Sequence, residues 1–492
     1  MRPHLLALAA LFAPVGLLWA LLRGPISAVA VSPWGPEDPW RNGDLIGGWW
    51  LWWAFAEERA GRAAMGGLAY PDGVEALLGV VPNPLDVWLL SGLGPPTALL
   101  WNLNQLGQTS LNLVAAGILA RAAGASPLAA AAACALLAAS PTMLHELAGG
   151  RPATLIVWPG LLSLALLLRG GLRAGALAGL FAALQGVAYA WHGLALCLIG
   201  LPLARDRRAL ALGVLVGALA ITPYAVTLAE HLRALPIDRP AAGYTSAPIA
   251  GLFGLGDVPP RVRLHPLLLV GAIVSASAGA WRFALAATIA LLIALGPGLT
   301  WAYGEPVMSG PFAWLTYWVE PLRRMHHPAR LLSFAGPLLA VCLALGLDRL
   351  GRLKPLALAL TVLAAGLNHQ AMREVVAWGA SPTPPYADRA LPEGPAVDVH
   401  GMTHRVALSL QPFHRRPLME PLWFRRPAED KVAQEVDRLA RGERPAPWLW
   451  DALRARGLKT VIVWPRFGEP DDAARLVEEA LGPPVQDGVW AL

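Results

Sequence analysis

Residues 209–230 read ALALGVLVGALAITPYAVTLAE, a stretch whose only charged side chain is its last, Glu230. A helix of that length rises about 33 Å, enough to cover the roughly 30 Å hydrocarbon core of a bilayer. Arg205, Arg207 and Arg208 stand immediately before it. Working outward, comparable apolar runs occupy 5–22, 97–120, 125–143, 152–168, 174–190, 192–204, 264–280, 283–302, 329–347 and 355–369. Together they predict a mainly α, polytopic membrane helix bundle of about 11 spans. The pair 174–190 and 192–204 is the least regular, because Gly193 and Pro202 can make the second a broken or re-entrant segment.

The composition agrees. Of 492 residues 55% are hydrophobic and 15% charged, against about 25% charged in ordinary soluble domains. Disorder is excluded by the same apolar content. The net charge of +6 suggests nucleic acid at first sight. Yet the arginines are scattered, and no basic run alternates with aromatics, so nucleic acid is not a partner. With the N-terminus inside, Arg121, Arg169, Arg173, Arg205, Arg207, Arg208, Arg282, Arg349, Arg352 and Lys354 all fall in short inner loops. The longer segments 23–96, 231–263 and 303–328 then lie outside with the C-terminal tail. The first run reads as a retained anchor, although Ala28-Val29-Ala30 resembles a signal-peptidase site. Cys134, Cys197 and Cys342 lie in apolar stretches without CxxC spacing and read as small buried hydrophobes.

Charges return after residue 370. Segments 396–399, 406–410 and 459–463 read as short strands, 470–481 as a helix with Asp471 and Asp472 in its first turn, and 485–490 as a last strand. The expected organisation is a bundle over 1–369, whose first outer loop, 23–96, carries an interfacial helix, and a small extracytoplasmic α/β domain over 370–492.

Four places invite chemistry. The first outer loop holds Glu37, Asp38 and Asp44 beside Trp49, Trp50, Trp52 and Trp53. Indole rings suit the headgroup region. A carboxylate there can deprotonate an acceptor hydroxyl or hold a divalent cation against a lipid phosphate; Asp44 equally suits a helix N-cap. In 97–120, Asn104, Gln108 and Asn112 are spaced by four and share a face that must look into the bundle, either toward a substrate cavity or toward interhelical hydrogen bonds. His145, Glu146 and Arg151 lie at one outer turn and Tyr189, Trp191 and His192 at another; a His beside a Glu can bind metal or shuttle a proton at a substrate cavity, and such residues equally cap helices or anchor at the interface. Finally Arg323-Arg324-Met325-His326-His327-Pro328-Ala329-Arg330 precedes an inward span. Arginine forks there match phosphate, whether of one ligand or of headgroups in general.

Several of these motifs resemble the GT-C superfamily of integral-membrane glycosyltransferases, in particular its bacterial YfhO-like branch. The resemblance rests on Gly43-Asp44 before the Trp-rich helix and Tyr70-Pro71, on Ser140-Pro141 with Gly150-Arg151-Pro152, on Pro328-Ala329-Arg330 with Leu345-Gly346-Leu347-Asp348, and on His414-Arg415-Arg416-Pro417. It implies transfer of a sugar from a polyprenyl-phosphate donor to a glycan, lipid or protein acceptor on the outer face of the bacterial inner membrane. Asp44 matches the usual catalytic base and Asp38 matches it less closely, while Glu37-Asp38 reverses the usual acidic pair and is the candidate site for Mg or Mn. Arg324, His327 and Arg330 would hold the donor phosphate. The competing classes are a non-catalytic scaffold of envelope polysaccharide assembly and a transporter. The latter would require a polar path at mid-span.

Overall fold

The computed structural model describes residues 3–20, 43–61, 85–148, 152–234, 246–253, 255, 262–276, 280–302, 308–318, 325, 327–372, 394–399, 430–463, 472–485 and 488–492. A helix occupies each of the apolar runs named above. The chain divides into two compact units, one formed by 1–31, 78–86 and 102–378, the other by 32–77, 87–101 and 379–492.

At the centre of the first unit lies the helix Leu332–Arg349, apolar all round and buried from Phe334 to Leu347 with few gaps. Helices Pro127–Ala138, Pro266–Ser275 and Trp281–Ala294 pack against it. Among the described residues two segments are long and apolar enough to cross a bilayer by length and composition: Pro328–Arg349, 83% buried, and Arg207–Val226, only 17% buried. The first is therefore central. The second presents Val214, Leu215, Leu219 and Val226 on its outer face.

That outer helix, Arg207–Ala234, pairs with Leu172–Ala188 through glycines. A Cβ on Gly175 or Gly179 would strike the backbone of Ala209 or Gly213, and Gly217 faces Gly179 in turn. The two Gly-x-x-x-Gly steps let the backbones approach as ordinary side chains would not.

Several runs predicted as single spans are broken, and the sequence shows why. Run 125–143 gives Pro127–Ala138 and then a new helix, Pro141–Ala148, because Pro141 cannot continue the first. Run 152–168 gives Pro152–Leu155 and Trp158–Arg169, with Pro159 in the first turn of the second. Leu172–Ala188 and Ala190–Gly200 meet at one extended residue, Tyr189, with φ −159° and ψ 108°. A Cβ on Gly193 would stand 2.6 Å from Gly186 Cα, so this corner needs glycine at the crossing. Pro202 ends the second helix in a 3₁₀ turn, Leu201–Leu203.

In the second unit the Trp-rich segment is a helix, Gly43–Arg59. The three of its tryptophans whose side chains are described are not half-wet as expected from an interfacial helix. Trp50, Trp52 and Trp53 are buried. Trp52 Nε1 donates to Gly94 O at 2.9 Å, and its ring lies 6.1 Å from that of Trp101. With its N–H satisfied, an indole gains more from burial than from the headgroup region. Exposed aromatics occur in the first unit, at Trp301, Trp314, Tyr317 and Trp318.

Also in the second unit, strands Ala396–Val399, Thr460–Val463 and Val489–Ala491 form one sheet, the first pair parallel and the second antiparallel. Helices Lys431–Ala440, Leu449–Ala455 and Asp472–Leu481 bury Val432, Val436, Leu439, Leu449, Leu453, Leu476 and Val477 together with strand residues Val397 and Val461. The expected strand at 406–410 lies outside the described residues.

Candidate functional site

The corner at Tyr189 and the start of the central helix, far apart in sequence, meet in the first unit. On one side, Gly186 and Gly193 cross closely and put Tyr189 and His192 at the apex. On the other, Pro328 opens a 3₁₀ turn, Pro328–Leu331, that presents Arg330 before Leu332–Arg349 begins. Arg330 Nη1 donates to the Tyr189 hydroxyl at 3.3 Å, and its guanidinium carbon lies 6.0 Å from that ring's centroid. The Arg330 carbonyl accepts from His192 Nε2 at 3.4 Å.

His192 is wholly buried. Its ring stands edge-on to Tyr189 at 4.6 Å and to Phe334 at 5.2 Å. Phe334 fits there because Gly160 has no side chain: a Cβ would lie 2.5 Å from the ring. Glu146 is also buried, accepts from the Thr154 hydroxyl at 2.7 Å, and is near enough to act on His192 electrostatically. His327 is half-buried, and its carbonyl accepts from Arg330 N at 3.0 Å. Four of the residues singled out in the sequence, Glu146, His192, His327 and Arg330, thus belong to one neighbourhood.

The polar stripe serves a different end of the same unit. Asn112 Oδ1 accepts from Val157 N at 3.1 Å and from Trp158 N at 2.8 Å, while its Nδ2 donates to Leu155 O. Gln185 Oε1 accepts from Gly160 N at 3.0 Å and its Nε2 donates to Ile156 O at 2.7 Å. Two buried amides therefore satisfy the backbone groups freed where the helix breaks. Gln108 accepts from Trp158 Nε1 at 2.8 Å and donates to Asn104 at 3.2 Å. Asn112 and Gln108 thus make hydrogen bonds from this helix to the segment around the break, while Gln108 and Asn104 join within it.

Asp44 lies in the first turn of Gly43–Arg59, and His145 lies in Pro141–Ala148; their side chains fall outside the described residues. Glu37, Asp38, Arg151 and Arg324 are likewise outside them. Among the described residues no group of three or more His, Cys, Asp and Glu side chains could hold a metal ion. Sequence reading passed over Gln185, Thr154, Gly160 and Phe334. Only Gln185, a lone amide in an apolar run, carried a signal that could have been weighed.

The fold defined by these helices is that of solved oligosaccharyltransferases, the fold class that the GT-C resemblance implies. The chain is similar to the archaeal oligosaccharyltransferase AglB from Archaeoglobus fulgidus in complex with an inhibitory peptide and a dolichol-phosphate, at 12% identity and TM-score 0.57, over 93% of this chain and 69% of that one. It is also similar to the oligosaccharyltransferase of that organism in complex with Zn and sulfate, at 12% identity and TM-score 0.53, over 93% and 67% of the two chains. The apo form gives 13% identity and TM-score 0.52, over 92% and 69%. No family model and no curated protein sequence matches the chain.

Proposed function

We propose that the protein is a multi-pass glycosyltransferase of the bacterial inner membrane, of the YfhO-like branch. It moves a sugar from a polyprenyl-phosphate donor to a glycan, lipid or protein acceptor on the outer face. The observation that carries this reading is Arg330. In a fold whose solved neighbour binds a dolichol-phosphate, it presents a half-buried guanidinium fixed on Tyr189. Arginine forks bind phosphate oxygens with two parallel N–H donors. Membrane residence is supported by the helix Arg207–Ala234, whose exposed face is apolar. The 28 residues of that helix rise about 42 Å.

In the proposed reaction the acceptor hydroxyl or amide attacks the anomeric carbon. Asp44, with Asp38 assisting, takes its proton as the carbon–oxygen bond to the phosphate breaks. The phosphate leaves with the electron pair, and Arg330, Arg324 and His327 stabilise its charge. For the divalent ion the sequence invites, Glu37 and Asp38 are the proposed ligands; such an ion supplies further charge neutralisation on the leaving phosphate. His145, Glu146, Arg151, His192, Asn104 and Gln108 would line or support the cavity, with the N-terminus cytoplasmic and the 370–492 segment outside to dock the acceptor.

The test is a membrane transfer assay with radiolabelled polyprenyl-phosphate sugar and the variants Asp44→Asn, Asp38→Asn and the double. A double variant as active as the wild type would sink the assignment. A wild-type chain that transfers nothing while supporting envelope polysaccharide assembly in cells would favour the scaffold reading instead.

A further inference from the structure

Helix Pro311–Trp318 turns its aromatics outward. Phe312 is fully buried and Leu315 packs on the core, whereas Trp314, Tyr317 and Trp318, spaced as one helical face, are 73%, 70% and 78% exposed. The helix is firmly mounted. Gly310 N donates to Pro297 O at 2.7 Å, just after the hairpin of Gly298–Leu299 with Met308–Ser309. Ile249 N and Ala250 N donate to Thr300 O and Trp301 O at 2.9 and 2.8 Å, and Phe253 N and Leu255 N close back on Ala250 O. Phe253, Leu255, Trp301 and Met308 are exposed as well. At the base, a Cβ on Gly296 would stand 3.1 Å from Pro328 Cγ, so the hairpin touches the turn Pro328–Leu331. The described residues 298–302 and 308–318 carry no charged side chain, so recognition here is by apolar and aromatic contact.

This face continues another apolar one. Helix Trp281–Ala294 exposes Leu285 and Leu292, seven positions apart and so on one side. At its start the Arg282 guanidinium carbon lies 5.7 Å from the centroid of the exposed Trp281 ring. The 14 residues of that helix rise about 21 Å, short of the roughly 30 Å hydrocarbon core. On the membrane placement proposed above, the residues that follow complete the crossing, and the aromatics stand where it ends.

We propose that Trp301, Trp314, Tyr317 and Trp318, with Phe253 and Met308, seat in the headgroup region of the outer leaflet and anchor this end of the bundle at the membrane surface. This rests on that membrane placement. The rings lie against the upper acyl chains while the indole N–H and phenol O–H groups reach water. The Trp-rich helix Gly43–Arg59, for which the sequence predicts this role, spends its described indoles on burial instead.

The experiment uses the full chain in nanodiscs whose lipids carry bromine either near the headgroup or near the chain ends. Cys134 and Cys342 are buried and Cys197 is exposed. A fluorophore is therefore attached to Tyr317→Cys, Trp318→Cys or Leu219→Cys in a Cys197→Ser background, each variant leaving the other aromatics in place. Leu219, on the exposed face of Arg207–Ala234, reports the bilayer interior. Labels at 317 and 318 should be quenched at least about twofold more by bromine near the headgroup than near the chain ends, and the label at 219 the reverse. Quenching at 219 with none at 317 and 318 overturns the anchor while the membrane placement stands. Aqueous iodide then tells an open face, left to a glycan, from one covered by a second copy or another part of the chain. Stronger quenching at 317 and 318 by the deep bromine also overturns the anchor, since the face then lies in hydrocarbon. No quenching at 219 by either lipid overturns the membrane placement itself.

Discussion

Asn112 is the residue whose removal tests the architecture most directly. It is 1% exposed and engages three backbone groups across the helix break, Leu155 O, Val157 N and Trp158 N. These three are not equal. Val157 N also reaches Leu155 O at 3.0 Å, so both keep a partner when the amide is lost. Trp158 N, at the first position of its helix, has no such reserve among the described residues. Replacing Asn112 with Leu, which keeps the volume, therefore removes three hydrogen bonds and orphans one buried donor. An orphaned donor costs about 1–3 kcal/mol and each lost bond about 0.5–1.5 kcal/mol, with membrane-embedded bonds toward the lower end. The expected destabilisation is about 2–4 kcal/mol. The assay is reversible unfolding of the full chain in mixed micelles, with Leu219→Ala, on the exposed face, as a control expected to change little. An Asn112→Leu chain within about 0.5 kcal/mol of wild type would refute the idea that the polar stripe exists to satisfy the break.

Four further outcomes follow. Gly179→Ala drives a Cβ into the Gly213 carbonyl and to within 2.9 Å of Gly217 N, and should cost about 1–3 kcal/mol by overpacking. Gly366→Ala, with open space around it, should be neutral or slightly stabilising in the same unfolding assay. Asp348 accepts from Ser126 Oγ at 2.6 Å and from Ser126 N, and pairs with Lys354 at 2.6 Å. Because that ion pair is partly exposed, Lys354→Met should cost under about 1 kcal/mol, whereas Asp348→Ala should cost about 1.5–3 kcal/mol. Asp430 caps Lys431–Ala440 and takes both nitrogens of Arg456, at 2.9 and 3.1 Å. Burial pushes its carboxyl up, but the Arg456 fork and the amides of Ala433 and Val432 more than offset this and hold it below the ordinary value. Its contribution is therefore complete above about pH 4 and lost as pH falls through the depressed value. Protection factors in 431–440, taken relative to the intrinsic exchange rate at each pH, should fall on acidification through that window, and Asp430→Asn should abolish the pH step.

The eleven apolar runs were legible because burial length is written directly in composition, and each contains a helix. Their interruptions were less so. Ile156 and Val157 are as apolar as their neighbours, so the break between them shows in sequence only through Pro159 and the distant amides Asn112 and Gln185. The Trp-rich helix misled for the opposite reason. An indole suits burial and the headgroup region equally, and only the partners Gly94 and Trp101 decide between them. The candidate site was visible as separate clusters, never as one. Tyr189 and Arg330 are 141 positions apart, and what unites them is a close crossing of Gly186 and Gly193 that no local pattern announces.

Sorting the polar residues of this apolar chain by what they satisfy separates structure from function. Asn112, Gln185 and Asp348 are consumed by backbone groups or by neighbouring helix ends, and their removal should appear as lost stability. Arg330 differs, because it is touched by two other buried side chains, Tyr189 and His192, while the residue itself is only half-buried. A fold that spends a buried histidine and a buried tyrosine on the aim of one arginine gains little stability by it, since a half-exposed cation contributes weakly. Arg330→Ala should therefore leave the stability within about 1 kcal/mol of wild type while, on the proposed function, weakening donor binding, the reverse of what Asn112→Leu does.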